Sequence, residues 1–149
     1  MELREITGEN YQQVLDLSTG AGQEKFVTAN LYSLAHAWVF QKTARPYALY
    51  EGEEPVGFIM LDWRPEEKWV EIWRLMIDYR HQGKGYGQAA VQKALEFLRE
   101  GGLFEKMQIN YVEENQGAKH LYRSMGFQET GAMEGNEVVM EMDLTGGSK

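Results

Sequence analysis

The chain has 149 residues, of which 43% are hydrophobic and 26% are charged. That length suits one domain with one core, and that balance is typical of a soluble globular protein rather than a disordered or membrane protein. Without cysteine it can form neither disulfides nor thiolate metal sites, and its net charge of −8 argues against sequence-independent binding to nucleic acid. We expect a single domain over residues 1–149, with 145–149 as a frayed tail.

The same features bear on location and partners. No apolar run is long enough to span a bilayer, and the first residues lack the apolar stretch of a signal peptide. We therefore expect a cytoplasmic protein with no membrane partner. An acidic surface favours a cationic partner, although acidity also serves simply to keep a protein soluble.

The first half of the chain predicts two helices and then a hairpin. A short alternating strand at residues 3–6 precedes a helix that ends at about residue 17. Apolar residues from Phe26 to Val39 recur at helical spacing, and Arg45-Pro46 ends that segment. Residues 47–50 and 56–63 have strand-like patterns around a turn that contains Gly52.

The second half predicts a strand, a glycine loop and a helix as its organising unit. Residues 69–77 are rich in β-branched and aromatic side chains and are the best candidate for a central strand. An amphipathic helix follows Gly85 and stops at Gly101-Gly102. A strand at 107–112, a helix at 116–125 and a hairpin of 127–132 with 137–144 complete an α/β fold.

The glycine loop has the properties of an anion site. Closely spaced glycines let the backbone approach a ligand, and the helix N-terminus adds a positive dipole, so main-chain N–H groups can hold a pyrophosphate. Arg80, His81 and Lys84 add positive charge in an otherwise acidic chain. The loop is not a P-loop, because Gly83-Lys84 is followed by Gly85, and it does not fit the dinucleotide fingerprint. A plain strand-to-helix turn is the alternative.

Two motifs resemble those of the GNAT superfamily of N-acetyltransferases. The first is the Gln/Arg-x-x-Gly-x-Gly/Ala pattern, which Gln82, Gly85 and Gly87 satisfy. The second is an Asn before a short helix that closes with Leu-Tyr-x-x-x-Gly-Phe, here Asn115 and residues 121–127. The resemblance covers nearly the whole chain. It implies a mixed, mostly antiparallel sheet of six or seven strands with about four helices, splayed at the central strands.

The resemblance also implies acetyl-CoA as the co-substrate. The glycine loop would hold its pyrophosphate, and the end of the preceding strand would pair with its pantetheine arm. The cofactor-binding residues implied are Leu75, Met76, Ile77, Gln82, Gly83, Lys84, Gly85, Tyr86, Gly87 and Asn115. Asn115 could equally serve only as the N-cap of its helix.

Tyr122 is the catalytic acid that the resemblance implies. It matches the position from which many family members present a phenol to the departing thiolate, and a hydrogen-bond donor stabilises that developing charge. Filling the core is its alternative role.

Glu71 is the candidate base. It matches the general-base glutamate of histone acetyltransferases in this superfamily. Strand alternation would place it on one face with Trp73, Leu75 and Ile77, where apolar neighbours raise the pKa of a carboxyl group. The alternative is a structural ion pair with a nearby Arg or Lys. No metal is implied, because the three histidines are scattered.

A looser resemblance, to bacterial spermine/spermidine acetyltransferases, is carried by residues 23–27, 73–78 and the closing run from Gly135. It implies a small cationic amine, a polyamine, as the acceptor. The substrate-binding residues implied are Glu24, Phe26, Asp62 and Trp73, with Trp38 and Trp63 as further aromatic contacts. Trp73 stands where related polyamine enzymes often carry a carboxylate, which argues against a polyamine.

The sequence is compatible with other functions. The acceptor could be an aminoglycoside, an amino acid or a protein N-terminus. A non-catalytic acyl-CoA-binding sensor would need neither Tyr122 nor Glu71, so the presence of both favours an enzyme. Homodimers are common in the family, and a homodimer is compatible with this sequence.

Overall fold

The computed structural model describes residues 1–20 and 29–145. Seven strands run through these residues: β1 (Glu2–Glu5), β2 (Ala44–Glu51), β3 (Glu54–Arg64), β4 (Trp69–Ile77), β5 (Lys106–Val112), β6 (Gln128–Glu134) and β7 (Glu137–Asp143). They form one sheet in the order β1-β2-β3-β4-β5-β7-β6. Neighbouring strands are antiparallel except β4 and β5, which are parallel. The predicted mixed, mostly antiparallel sheet is confirmed.

Four helices cover this sheet in the described ranges: α1 (Tyr11–Asp16), α2 (Asn30–Val39), α3 (Tyr86–Gly101) and α4 (Gln116–Ser124). α3 and α4 lie on one face, where Val91 and Tyr122 share a core with Val70 of β4. α1 lies on the other face with α2, where Val14 shares a core with Phe58 of β3. The sheet is therefore buried between two helical layers. None of these helices has the length and apolar character needed to cross a bilayer.

The α3 helix carries the glycine loop at its start. Its buried side chains recur at helical spacing and face the sheet, at Ala90, Val91, Ala94, Leu95 and Leu98. The helix ends at Gly102, where a φ of 67° lets the amide donate to the Leu98 carbonyl at 3.3 Å. It begins directly after Gly85, so the positive end of the helix dipole lies at the loop.

The hairpin begins earlier than the sequence pattern predicts. β2 starts at Ala44 and includes Pro46, which lies opposite Met60 of β3. β1 pairs with β2 only from Tyr47 to Tyr50, so the missing N–H of Pro46 lies beyond the end of β1. A proline is tolerated in a strand at such an unpaired edge.

In the described residues, α2 covers the later part of the predicted helical segment, and two aromatic residues named above can be located. The helix begins at Asn30, and Phe26 lies outside the described residues. Trp38 is 74% exposed and lies on the surface of α2, and its contact with an acceptor stays a prediction. Trp63 of β3 lies on the α3 face of the sheet, edge-to-face with Phe104 at 5.5 Å, and its contact with an acceptor stays a prediction.

A bulge in β4 overturns the predicted alternation of that strand. Leu61 of β3 pairs with Ile72 and Met60 pairs with Arg74, which leaves Trp73 as an extra residue. Because a bulge inserts one residue, the side chains beyond it change face. Trp73 packs on the α1–α2 side, whereas Leu75 and Ile77 pack on the α3 side. Glu71 and Leu75 therefore do not share a face.

Candidate active site

The sheet splits at the middle of β4. β4 pairs with β5 only from Trp69 to Ile72, yet it remains paired with β3 as far as Ile77. The backbone groups of residues 73–77 that point away from β3 therefore have no strand partner within the described sheet. Such an edge can pair with an extended ligand that carries amide groups.

The glycine loop forms a cavity of about 250 Å³ at the far end of this edge. Of the residues implied to bind a cofactor, the structure brings Leu75, Met76, Ile77, Gln82, Gly83, Gly85, Tyr86 and Gly87 together around it. Gly83 and Gly85 have φ values of 80° and 81°, and a Cβ on either would meet nothing within 4 Å. The loop thus needs glycine for its backbone shape, and the space above it is open.

The positive charge at this cavity comes mainly from the backbone. Gly85 precedes α3 without any side-chain cap, and no acidic residue lies in the first turn. Arg80 is paired with Asp78 at 2.7 Å, and His81 lies 3.2 Å from Glu54. Lys84 is exposed and forms no ion pair with the described residues. Free helix N–H groups and one free lysine suit a phosphate.

Gln82 lines the cavity and also bonds the backbone around it. Its amide nitrogen donates to the carbonyls of Ile77 at 2.9 Å and Thr19 at 3.3 Å. The side chain therefore ties the loop to the end of β4 and to the segment after α1, and contributes to a ligand site by shaping the cavity.

Asn115 and Tyr122 lie together at the split, in a second cavity of about 80 Å³ that Leu75 also lines. The Asn115 side chain accepts from the Ala118 amide at 3.2 Å, so it caps α4. Tyr122 is 8% exposed and packs edge-to-face on Phe127 at 6.1 Å. Burial raises the pKa of Tyr122 to about 12, which keeps the phenol protonated at neutral pH.

Glu71 lies where the split begins, opposite Asp62 of β3 and Gln108 of β5. Its pKa is raised to about 7, first by burial and then by the charges of Glu134, Asp62 and Glu137. No ion pair joins it to Arg74 or Lys68 in the described residues, and Lys68 pairs instead with Glu105 at 3.6 Å. A half-buried carboxyl group that titrates near neutral pH is suited to proton removal.

The four predicted acceptor residues divide into two groups. Glu24 and Phe26 lie outside the described residues. Asp62 is adjacent to Glu71 but is paired with Arg64 at 3.1 Å. Trp73 is stacked on His36 at 5.7 Å, so its ring docks α2 on the sheet.

Sequence reasoning missed a group of polar residues on the same face. Asn110 of β5 donates to Glu134 at 2.9 Å and to Glu137 at 3.4 Å, which holds two carboxylates together at the β6–β7 hairpin. Glu137 and Arg74 line the cavity that contains Tyr122. The only signal in the sequence was a pair of glutamates flanking the Gly135-Asn136 turn.

Within residues 1–20 and 29–145, no three His, Asp or Glu side chains are grouped so that they could hold a metal ion.

Known proteins resemble this chain over nearly its full length. A model of the Acetyltransferase (GNAT) family matches residues 11–127. The chain is 29% identical to the spermine/spermidine N(1)-acetyltransferase of Bacillus subtilis strain 168, over 97% of this chain and 99% of that protein.

Two solved structures share the fold. One is the spermidine N-acetyltransferase of Vibrio cholerae in complex with CoA and spermine, with a TM-score of 0.77, 18% identity, and coverage of 97% of this chain and 95% of that one. The other is the PaiA N-acetyltransferase of Thermoplasma acidophilum in complex with coenzyme A, with a TM-score of 0.70, 15% identity, and coverage of 95% and 98%.

Proposed function

The chain belongs to the Acetyltransferase (GNAT) family, and we propose that it transfers an acetyl group from acetyl-CoA directly to a primary amine of a polyamine. The observation that carries this proposal is the split in β4. An unpaired strand edge runs from Glu71 and Tyr122 at one end to the glycine cavity at the other. That layout suits a long donor whose acyl end meets an amine and whose phosphates meet a helix N-terminus.

The residues present fit acetyl-CoA. The unpaired backbone of residues 73–77 is free to bond the amides of a pantetheine arm. Gly83 and Gly85 leave open space over the N-terminus of α3, where main-chain N–H groups would hold the pyrophosphate. Lys84 adds an exposed positive charge beside them. Bound acetyl-CoA supplies the activated acetyl thioester.

Glu71 and Tyr122 divide the proton chemistry of the transfer. Glu71, with a pKa of about 7, takes the proton that the attacking ammonium must lose. The neutral amine nitrogen would then bond the acetyl carbon while the carbon–sulfur bond breaks to release the CoA thiolate, and the second proton that the nitrogen loses as the amide forms would neutralise that thiolate to the CoA thiol. Tyr122, with a pKa of about 12, remains a phenol and stabilises that thiolate as a hydrogen-bond donor. The absence of cysteine is consistent with direct transfer.

The acidic face beside the split supports a polycationic acceptor. Glu134 and Glu137 approach Glu71 closely enough for their charges to raise its pKa. Like charges held together are unfavourable, and an ammonium group placed among them would relieve that repulsion. A distal ammonium bound there would also lower the pKa of Glu71, so a correct substrate would favour the basic form of the catalytic carboxylate.

The proposal is tested by CoA release with a panel of amines. We expect spermidine and spermine to give a higher kcat/KM than a monoamine of similar length, and this preference to shrink as salt is raised. Glu137→Gln should raise the KM for spermidine and leave the KM for the monoamine unchanged. Glu129→Gln is the matched control, because Glu129 pairs with Arg123 on the α4 side of the hairpin.

Two results would contradict parts of the proposal. A preference for the monoamine would exclude the polyamine and leave an acetyltransferase. A protein that binds CoA yet acetylates none of the amines would favour the acyl-CoA sensor.

Arg74 favours a second acceptor class, an amino acid or a peptide N-terminus. Arg74 lines the cavity. Among the described residues its guanidinium bonds the Trp73 carbonyl at 3.0 Å and His36 Nδ1 at 3.3 Å, and its buried Nε has no hydrogen-bond partner. A carboxylate or carbonyl next to the reacting amine would suit this cation. Efficient acetylation of an amino acid or peptide, abolished by Arg74→Met, would support this acceptor over the polyamine.

A further inference from the structure

Asp78 connects β4 to the glycine loop and is fully buried, with 0% of its surface exposed. Its carboxylate accepts from the Ser18 amide at 3.0 Å, the Arg80 amide at 3.2 Å and Arg80 Nε at 2.7 Å. Burial by itself raises the pKa of Asp78, but the bonds from Ser18 and Arg80 outweigh burial and hold that pKa below its usual range. The group is therefore a buried anion, and it uses its charge to hold other parts of the chain.

These bonds fasten residues 18–20 to the loop. The Tyr79 amide donates to the Ser18 carbonyl at 2.7 Å, and Gln82 donates to the Thr19 carbonyl at 3.3 Å. Gly20 has a φ of 87°, and a Cβ there would lie 2.9 Å from Cβ of Tyr79. The backbone after α1 thus lies in direct contact with the turn that precedes the glycine cavity.

This contact builds one wall of the cavity. Thr19 lines it from one side, while Gln82, Gly83 and Gly85 line it from the other. The two walls come from segments about 60 residues apart, so no local turn geometry fixes the distance between them. The hydrogen bond from the Ser18 amide to the Asp78 carboxylate joins the two segments across 60 residues of the chain.

We propose that Asp78 is a positioning residue for the binding of acetyl-CoA. The Asp78 carboxylate holds residues 18–20 against the glycine loop, where they form the second wall of the pyrophosphate site. This inference rests on the proposed function. The competing role is a local one, because Asp78 also caps the turn Tyr79–His81 by accepting from the Arg80 amide. Serine and asparagine cap such turns as well as aspartate does, so they separate the two roles.

The test is calorimetric titration of CoA into the wild type, Asp78→Ser and Asp78→Asn. A serine can keep the cap but is too short to hold Ser18 and both Arg80 donors at once, so Asp78→Ser should raise the Kd for CoA about tenfold. Asp78→Asn should weaken binding in the same direction, because its NH₂ faces the Arg80 donors. Asp16→Ser, at an exposed position of α1, should bind CoA like the wild type. A folded Asp78→Ser with wild-type affinity would overturn the inference and leave the proposed function standing.

Hydrogen exchange on the wild-type protein tests the same inference without a variant, so it still applies if neither Asp78 variant folds. We expect CoA to slow exchange of the Ser18 and Tyr79 amides together with those of the glycine loop, because ligand and tether would stabilise each other. Slower exchange confined to the glycine loop would overturn the inference. A wild type that does not bind CoA at all would instead contradict the proposed function.

Discussion

The proposed donor side and the proposed acceptor side of this site are built in different ways. The donor side is mostly backbone: an unpaired strand edge, two left-handed glycines and the start of α3. The acceptor side is made of side chains that come from four strands, with Asp62 on β3, Glu71 on β4, Asn110 on β5 and Glu137 on β7. Apart from the wall at residues 18–20, the donor side is contiguous in sequence, whereas the acceptor side is assembled by strand register.

The two sides should therefore tolerate different kinds of substitution. A backbone site tolerates most side-chain changes and is damaged where a residue must adopt φ > 0. A side-chain site depends on the charge and pKa of each member, so isosteric substitutions there change chemistry without changing shape. Tyr122 and Glu71 lie where the two sides meet, and substitutions there should have the largest effects.

The largest expected effect is on turnover at Tyr122. Tyr122→Phe removes the phenol but keeps the ring that packs on Phe127, so kcat should fall about 100-fold while the fold survives. Steady-state turnover at saturating acetyl-CoA and amine measures this loss. Tyr47→Phe is the control, since Tyr47 packs on Phe97 away from the split. Wild-type turnover in Tyr122→Phe would leave Tyr122 with a packing role only.

Glu71 should set the pH dependence of the reaction. In the wild type, kcat/KM should rise as pH passes through about 7, because the carboxyl group then loses its proton. Glu71→Gln should lower the rate at pH 7 by roughly tenfold or more and regain part of it at higher pH, where more amine is already neutral. Glu129→Gln should keep the wild-type profile. If kcat/KM of Glu71→Gln still rises through pH 7 as in the wild type, another group removes the proton.

Gly85→Val tests the backbone character of the donor side. Valine strongly disfavours the φ of 81° found at Gly85, so the loop should shift and the Kd for acetyl-CoA should rise about tenfold. Gly102→Val is a matched control at the other end of α3, with a φ of 67° and open space around its Cβ position. Both variants should lose stability, but only Gly85→Val should lose affinity. Equal affinity in the two variants would contradict a phosphate site at the loop.

The smallest expected effect is on stability at the acceptor side. The pKa of Glu71 rises from 4.5 to about 7 on folding, so its protonated form is favoured in the native state. The stability that this raised pKa contributes to the native state is fully present below pH 4.5 and is lost as the pH rises through about 7. Glu71→Gln should therefore be more stable than the wild type at pH 8, by roughly 1 to 3 kcal/mol, and about equal at pH 4.5. Thermal melts at both pH values check this, and an equal difference at both would exclude a buried charge at Glu71.

Much of the fold and of the donor side could be predicted from the sequence. β4 was predicted with its observed bounds, and the strand–loop–helix unit around Gly85 follows from local patterns. The resemblance to GNAT acetyltransferases is confirmed by the family match. The roles of Glu71 and Tyr122, a cytoplasmic location and a homodimer stay predictions.

The sequence determined this much because backbone preferences and apolar periodicity act over a few neighbouring residues. Glycine at φ > 0, a helix that begins after it and a β-branched strand before it are all local facts. The resemblance already implied a split at the central strands. The tertiary structure alone decided that β4 leaves β5 after Ile72, that the bulge at Trp73 turns Leu75 away from the face of Glu71, and that Glu137 approaches Glu71. Register and burial depend on partners that lie far apart in the chain, and the charge state of Glu71 depends on both.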